Sequence, residues 1–308
     1  MPRTGSEPEA TPRLLGALEA GGTKFRAAAV SSAGASGVLE IVDSVVVSTS
    51  DPDTTLAEVV EFFAAHREIA ALGIASFGPV DLDESSPGHG SITGTPKPGW
   101  TGARILRRLA QALEVPAGIQ TDVEAAAVAE QLLGPQQPPP DQLAYVTVGT
   151  GIGAAVAKNG EPLRGRRHSE LGHIPVRRVD GDDYPGRCPF HRDCLEGMAS
   201  GPAVAERWGI DPSEADERDE IWRLEAAYLA QLVRVLCYSV APDRIVFGGG
   251  VGNRPAMADM IRDAGIVELA GYADYSLDLD CFIASPSLGD DSGLLGAALL
   301  ARTRLSRH

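Results

Sequence analysis

The sequence predicts an α/β protein made of two similar halves with a cleft between them. Three observations carry that prediction. An apolar strand, a glycine turn and a second apolar strand occur at residues 14–31 and again at 143–163. Helical and strand patterns alternate after each of these meanders. The chain has 308 residues, enough for two domains that each bury a core.

Residues 1–12 are polar, proline-bearing and aperiodic and read as a disordered tail. LLGALEAGGTKFRAAAVS then gives two strands around Gly21-Gly22, and the β-branched VDSVVVSTS continues the sheet. TTLAEVVEFFAAHREI has apolar residues at helical spacing behind Asp53 and Thr54 as candidate caps, and ALGIASFG is the next strand. The following PVDLDESSPGHGSITGTPKPGW is rich in Gly, Pro and Ser and suits a binding loop. Helix ARILRRLAQALE, strand AGIQTD and helix VEAAAVAEQLL come next, and QQPPPDQ leads into the second meander. A Gly-, Cys- and His-rich loop spans 168–202. It is followed by a helical stretch at Ala203–Trp208, a long helix from about Glu217 to Ser239, strand RIVFGGG, a helix from about Asn253 or Arg254, a strand near CFIAS and a last helix DSGLLGAALLARTRL.

Lys plus Arg number 27 against 42 Asp plus Glu, a net charge of −15, which argues against nucleic acid as the main ligand. No run of about 18 apolar residues is present, and the N-terminal stretch lacks the apolar segment of a signal peptide, so no membrane partner and a cytoplasmic location are expected. Four cysteines are too few for a disulfide scaffold in a chain of this length. Cys237 and Cys281 lie in apolar contexts and read as buried core thiols.

Five constellations bear chemistry. Glu19-Ala20-Gly21-Gly22-Thr23-Lys24 between two strands is either an ordinary hairpin turn or a set of backbone N–H groups, a hydroxyl and an ammonium around a phosphate. Gly149-Thr150-Gly151-Ile152-Gly153 occupies the equivalent place in the second half. Alone it is weak, but paired with the first turn it suggests a phosphate-binding cleft. Neither turn matches GxxxxGK[ST], and the second runs into a strand, which disfavours a dinucleotide fold. Gly248 to Asn253 follow an apolar strand and either form a plain strand-to-helix turn or leave room for adenine and its ribose.

The fourth constellation is His173, Cys188, His191 and Cys194, spaced H-x14-C-x2-H-x2-C. Two thiolates and two imidazoles make a closed tetrahedral set suited to Zn2+ in a structural role, the alternative being scattered loop residues. The fifth is Asp122, at the end of a strand and the start of a helix. Its carboxylate either caps the helix or accepts the proton of a hydroxyl that attacks phosphorus.

Together these residues resemble the ROK family of sugar kinases, a branch of the actin-like (ribonuclease H-like) ATPase fold, from Leu14 to Leu305. The resemblance implies two similar α/β domains flanking an active-site cleft, at 13–121 and 122–308, with a zinc loop at 168–202 and the last helix packing back on the first domain. The turn at Glu19 to Lys24 resembles the first phosphate motif of the family, Gly149 to Gly153 the second and Gly248 to Asn253 the adenosine motif. Glu170-Leu171-Gly172-His173 matches E-x-G-H. CPFHRDCLEGMASGP at 188–202, SFGPVDLD at 76–83 and ITGTPKPGW at 92–100 resemble the bacterial fructokinase branch.

By that resemblance Asp122 is the catalytic base. Gly78, Thr95, Pro96, Lys97, Glu170, His173 and Glu196 are sugar-site residues, with the stretch to Trp100 part of the pocket. Gly21, Gly22, Thr23, Lys24, Gly149, Thr150, Gly151, Pro202, Gly249, Gly250 and Asn253 contact ATP. The implied reaction is phosphorylation of D-fructose at its 6-hydroxyl by ATP and Mg2+, in a homodimer. Two departures stand out. Glu19 replaces the usual Asp, as in the fructokinase branch, and lengthens or hydrates any magnesium contact. Glu124 replaces the usual Asn, which is expected to raise the pKa of Asp122 or alter the sugar preference.

Three rival readings remain at this level. A kinase for mannose, glucose or an N-acetyl amino sugar uses the same machinery. A sugar-sensing regulator of the family carries an added helix-turn-helix domain, whereas only about a dozen polar residues precede the first strand here. A silent sugar-binding module is disfavoured by Asp122 and the two phosphate turns.

Overall fold

The computed structural model describes residues 13–33, 38–215, 220–272 and 282–307. The expected tail, the expected helix start at Glu217 and Cys281 lie outside the described residues. The chain divides into two compact units, Met1–Ala125 with Gly293–His308, and Ala126–Ser292.

In the first unit β1 (Arg13–Ala20), β2 (Lys24–Ala33) and β3 (Val38–Ser48) form an antiparallel meander. β4 (Ile69–Ser76) and β5 (Ala117–Thr121) extend the sheet in parallel on the other side of β1, giving the order β3-β2-β1-β4-β5. β1 is apolar from Leu14 to Leu18 because both of its faces are covered there. Leu18 and Ala20 join the core that includes α1 (Pro52–Ala64) and α2 (Ile105–Leu113), while Leu15 and Ala17 meet the last helix, α9 (Ser292–Ser306), through Ala297, Ala298 and Ala301.

Helix α1 starts earlier than its sequence suggests. Its cap is Asp51, whose Oδ1 accepts from the N–H groups of Asp53 and Thr54, both at 3.0 Å, so these two residues sit in the first turn instead of capping it. Pro52 explains the shift, because proline at the first helical position loses no hydrogen bond and presets the helical φ. The helix also stops at Ala64, and Ile69, assigned to it by periodicity, pairs instead with Leu14 as the first residue of β4.

The second unit repeats the plan. β6 (Gln142–Val148), β7 (Ile152–Lys158) and the short β8 (Glu161–Pro162) form the meander, and β9 (Arg244–Gly248) and β10 (Ile283–Ala284) run parallel to β6, in the order β10-β9-β6-β7-β8. Between β8 and β9 lie α4 (Leu195–Ala199), α5 (Gly201–Trp208) and α6 (Glu220–Ser239). Trp222, Tyr228, Leu229 and Leu232 of α6 enter one core with Val146, Val148 and Phe247 of the sheet. The helix after β9 differs from expectation, because α7 (Gly249–Gly252) begins directly at the strand end and Asn253 closes it, before α8 (Met257–Leu269). Among the described residues no helix is long and apolar enough to cross a membrane.

Candidate active site

Asp122 is the first residue of α3 (Asp122–Leu133), directly after β5, so it stands at the carboxyl end of a parallel strand, where α/β sheets bind ligands. One carboxylate oxygen, Oδ1, accepts from the Val123 N–H at 2.9 Å. Burial pushes the carboxyl up to about 7, and the charges of Glu19 and Glu124 add to that against the Val123 hydrogen bond. A carboxylate poised near neutrality has the basicity that proton abstraction from a hydroxyl requires. Glu124 raises Asp122 as its sequence position suggested, but its own side chain turns back to the chain: Oε2 accepts from the Thr121 N–H at 3.0 Å.

The first glycine turn joins β1 to β2, with Gly21 N–H donating to the Lys24 carbonyl at 3.0 Å. Gly22, Thr23 and Lys24 are exposed, and a side chain at Gly22 would meet no atom within 4 Å, so the backbone lies open to an incoming anion. Thr49 braces this turn, its hydroxyl donating to the Gly21 carbonyl at 2.9 Å and its N–H to the Thr23 carbonyl at 3.0 Å. Sequence reading missed Thr49, since nothing local ties a residue so far along the chain to the turn. Glu19, on the last turn of pairing before the glycines, lies 3.4 Å from Arg26 on β2.

Of the expected sugar-site residues in this unit, Gly78 follows β4 and Thr95, Pro96 and Lys97 lie in the 79–100 loop, with Lys97 N–H donating to the Thr95 hydroxyl at 3.3 Å. That loop has its own order. Val80 pairs with Ile92, and Thr93 N–H donates to the Pro79 carbonyl at 2.8 Å. Trp100 is fully buried, donates to the Ser50 carbonyl at 2.8 Å and packs on Phe25 and Phe77. It anchors the loop in the core.

In the second unit the structure brings separately predicted nucleotide residues together. Gly149 N–H closes the β6–β7 turn onto the Gly151 carbonyl at 2.9 Å, and its own carbonyl accepts from Gly201 N–H at 2.8 Å, which sets Pro202 and the start of α5 beside the turn. Gly250 adjoins from the β9 side, a side chain on Gly149 meeting its nitrogen at 3.9 Å. Gly249 takes φ of +80°, and a side chain there would strike the Val148 carbonyl, so only glycine allows α7 to turn off the strand beside β6. Glu196, expected at the sugar, has Oε2 on the Ile152 N–H at 3.0 Å and so stands at this same turn. Glu170 is exposed and paired with His168 at 3.3 Å.

His173, Cys188, His191 and Cys194 converge, their ligand atoms all within 4.8 Å of one another. A Cys188–Arg192 hairpin, with hydrogen bonds of 2.9 and 3.0 Å, forms the knuckle, and a three-residue 3-10 turn, Leu171–His173, brings in the fourth ligand. Tetrahedral zinc at its usual bond lengths places sulfur and nitrogen about 3.6 Å apart. The distances from Cys188 Sγ to His173 and His191 Nδ1 are 3.7 and 3.8 Å, and Cys194 Sγ lies 3.5 Å from His173 Nδ1, so donor set and spacing both fit. Arg207 on α5 fastens the same loop inward, reaching Asp182 at 3.3 Å, Glu225 at 3.0 Å and the Met198 carbonyl at 2.8 Å.

Two units of one topology, each a meander followed by parallel strands, define the actin-like ATPase fold. The chain belongs to the ROK family, whose model matches residues 15–304. It is 39% identical over 292 residues to a fructokinase of Pediococcus pentosaceus, covering 95% of this chain and 99% of that protein. It is also 39% identical over 300 residues to a fructokinase of Zymomonas mobilis, covering 94% and 96%. Among solved structures the ROK hexokinase from Thermus thermophilus superposes with a TM-score of 0.74 at 27% identity, over 96% of this chain and all of that one.

Proposed function

We propose that this protein is a fructokinase, transferring the γ-phosphoryl group of ATP, bound as its magnesium complex, to the 6-hydroxyl of D-fructose. The observation that carries this reading is the place of Asp122, at the carboxyl end of β5, in a chain 39% identical to fructokinases over nearly its whole length. Asp122 takes the proton of the 6-hydroxyl as that oxygen attacks phosphorus. The open backbone of Gly21 and Gly22, with Thr23 and Lys24, receives phosphate oxygens. Gly149, Thr150, Gly151, Pro202, Gly249, Gly250 and Asn253 hold the rest of the nucleotide. Gly78, Thr95, Pro96, Lys97, Glu170, His173 and Glu196 are assigned to the sugar. Positioning and charge stabilisation supply most of the rate gain, since phosphoryl transfer asks little covalent chemistry of the protein.

His173, Cys188, His191 and Cys194 are the residues that hold zinc. With no open coordination position, the ion supplies a fixed cross-link of the 168–202 loop. A cytoplasmic location goes with this reading, since ATP is its substrate and zinc-binding thiols need a reducing compartment. A homodimer comes with the family resemblance and is checked by sedimentation. The reading is tested by product analysis: phosphorus-31 spectra of fructose and ATP incubated with the protein should show fructose 6-phosphate, and phosphorylation at the 1-position, or none, would overturn it.

A further inference from the structure

We infer that Glu124 is a positioning residue for the catalytic base, forming with Thr121 a reciprocal capping box that clamps the backbone on both sides of Asp122. The inference rests on Asp122 being the base of the proposed reaction. Thr121 Oγ1 accepts from the Glu124 N–H at 3.2 Å, while Glu124 Oε2 accepts from the Thr121 N–H at 3.0 Å. The sequence Thr-Asp-Val-Glu thus supplies both partners of an S/T-x-x-E box, with Asp122 enclosed as its second residue.

Both partners are buried, Thr121 at 4% and Glu124 at 2% exposure. A buried carboxylate is costly unless its hydrogen bonds are made, so the box does more than tidy a helix end. Thr121 is itself fixed in the sheet by its pairing with Ser76 of β4. Rigidity therefore runs from the sheet through Thr121 to Glu124 and restrains the backbone of Asp122 from both sides. The reacting carboxylate needs that, because small displacements from an in-line geometry cost rate steeply. Oε2 of Glu124 serves the Thr121 N–H, which makes the side chain a ligand of the backbone beside the base.

The test compares Glu124→Ala, which removes the reaching oxygen, with Glu124→Gln, which keeps an oxygen able to accept from Thr121. Glu124→Ala should lower kcat about tenfold or more with the KM values for ATP and fructose changed by no more than about threefold, and Glu124→Gln should keep kcat within about threefold of the parent. Should the alanine variant not fold, Thr121→Val and Thr121→Ser pose the same comparison from the other side of the box, the serine restoring what the valine removes. Asp122→Asn, measured in parallel, separates the two layers. If it fails to cut turnover, the base assignment falls and the positioning role with it. If it does cut turnover, but Glu124→Ala leaves kcat within about twofold, or Glu124→Gln falls as far as Glu124→Ala, the positioning role is overturned while the base stands.

Discussion

At the scale of single residues, the proposed chemistry concentrates on Asp122. Replacing it by Asn should lower kcat by at least about 10²-fold and leave ATP binding nearly intact, measured by steady-state kinetics and calorimetry. The same carboxyl sets the pH response. Burial and the charges of Glu19 and Glu124 raise it from 3.8 to about 7, so kcat should fall as pH drops below 7 and the base takes up its proton. Glu19→Gln removes one of the raising charges and should move that acid limb to lower pH. The stability consequence has the opposite sign to that of an ordinary salt-bridged carboxylate. A carboxyl raised on folding binds its proton more tightly folded than unfolded, so its contribution is present below about pH 4 and is lost as pH rises towards 7. The melting temperature of Asp122→Asn should therefore gain on the parent as pH rises from 5 to 8. The sequence left Asp122 between helix cap and base, and it already held the box Thr121-x-x-Glu124, in which Thr121 is the cap and Asp122 the first helical residue, with Oδ1 on the Val123 N–H.

At the scale of elements, the most legible feature was the convergence of His173, Cys188, His191 and Cys194, because their close spacing in sequence keeps them together whatever the path of the loop. Cys194→Ser should reduce bound zinc from near one equivalent to near none by metal analysis and lower the melting temperature. Full metal retention would refute the ligand set. Helix ends were less legible, since neighbouring residues of similar capping ability compete. Asp51, Asp53 and Thr54 all qualify locally, and only the fixed φ of Pro52 decides for Asp51. Asp51→Ala should accordingly lower the midpoint of denaturant unfolding, with Asp53→Ala lowering it less. The start of α7 at Gly249 escaped sequence reading for a related reason. The positive φ there answers to β6 behind it, a contact distant in sequence. The packing of Trp100 was hidden for the same cause, as its partners Phe25, Phe77 and Ser50 arrive from three other segments.

At the scale of the whole molecule, the repeat of meander and parallel strands was visible in the sequence because both of its halves begin with the same strand, glycine turn and strand. Net charge was the weaker guide. A total of −15 speaks against nucleic acid, yet the proposed ligand is itself an anion, which local N–H groups and Lys24 must hold against the overall field. The central claim is a sugar kinase selective for fructose, and the most direct measurement is ADP release with ATP and magnesium across fructose, glucose, mannose and N-acetyl amino sugars. Fructose should give the highest kcat/KM by a wide margin. A clear preference for glucose or mannose, or no turnover with any of these sugars, would contradict it.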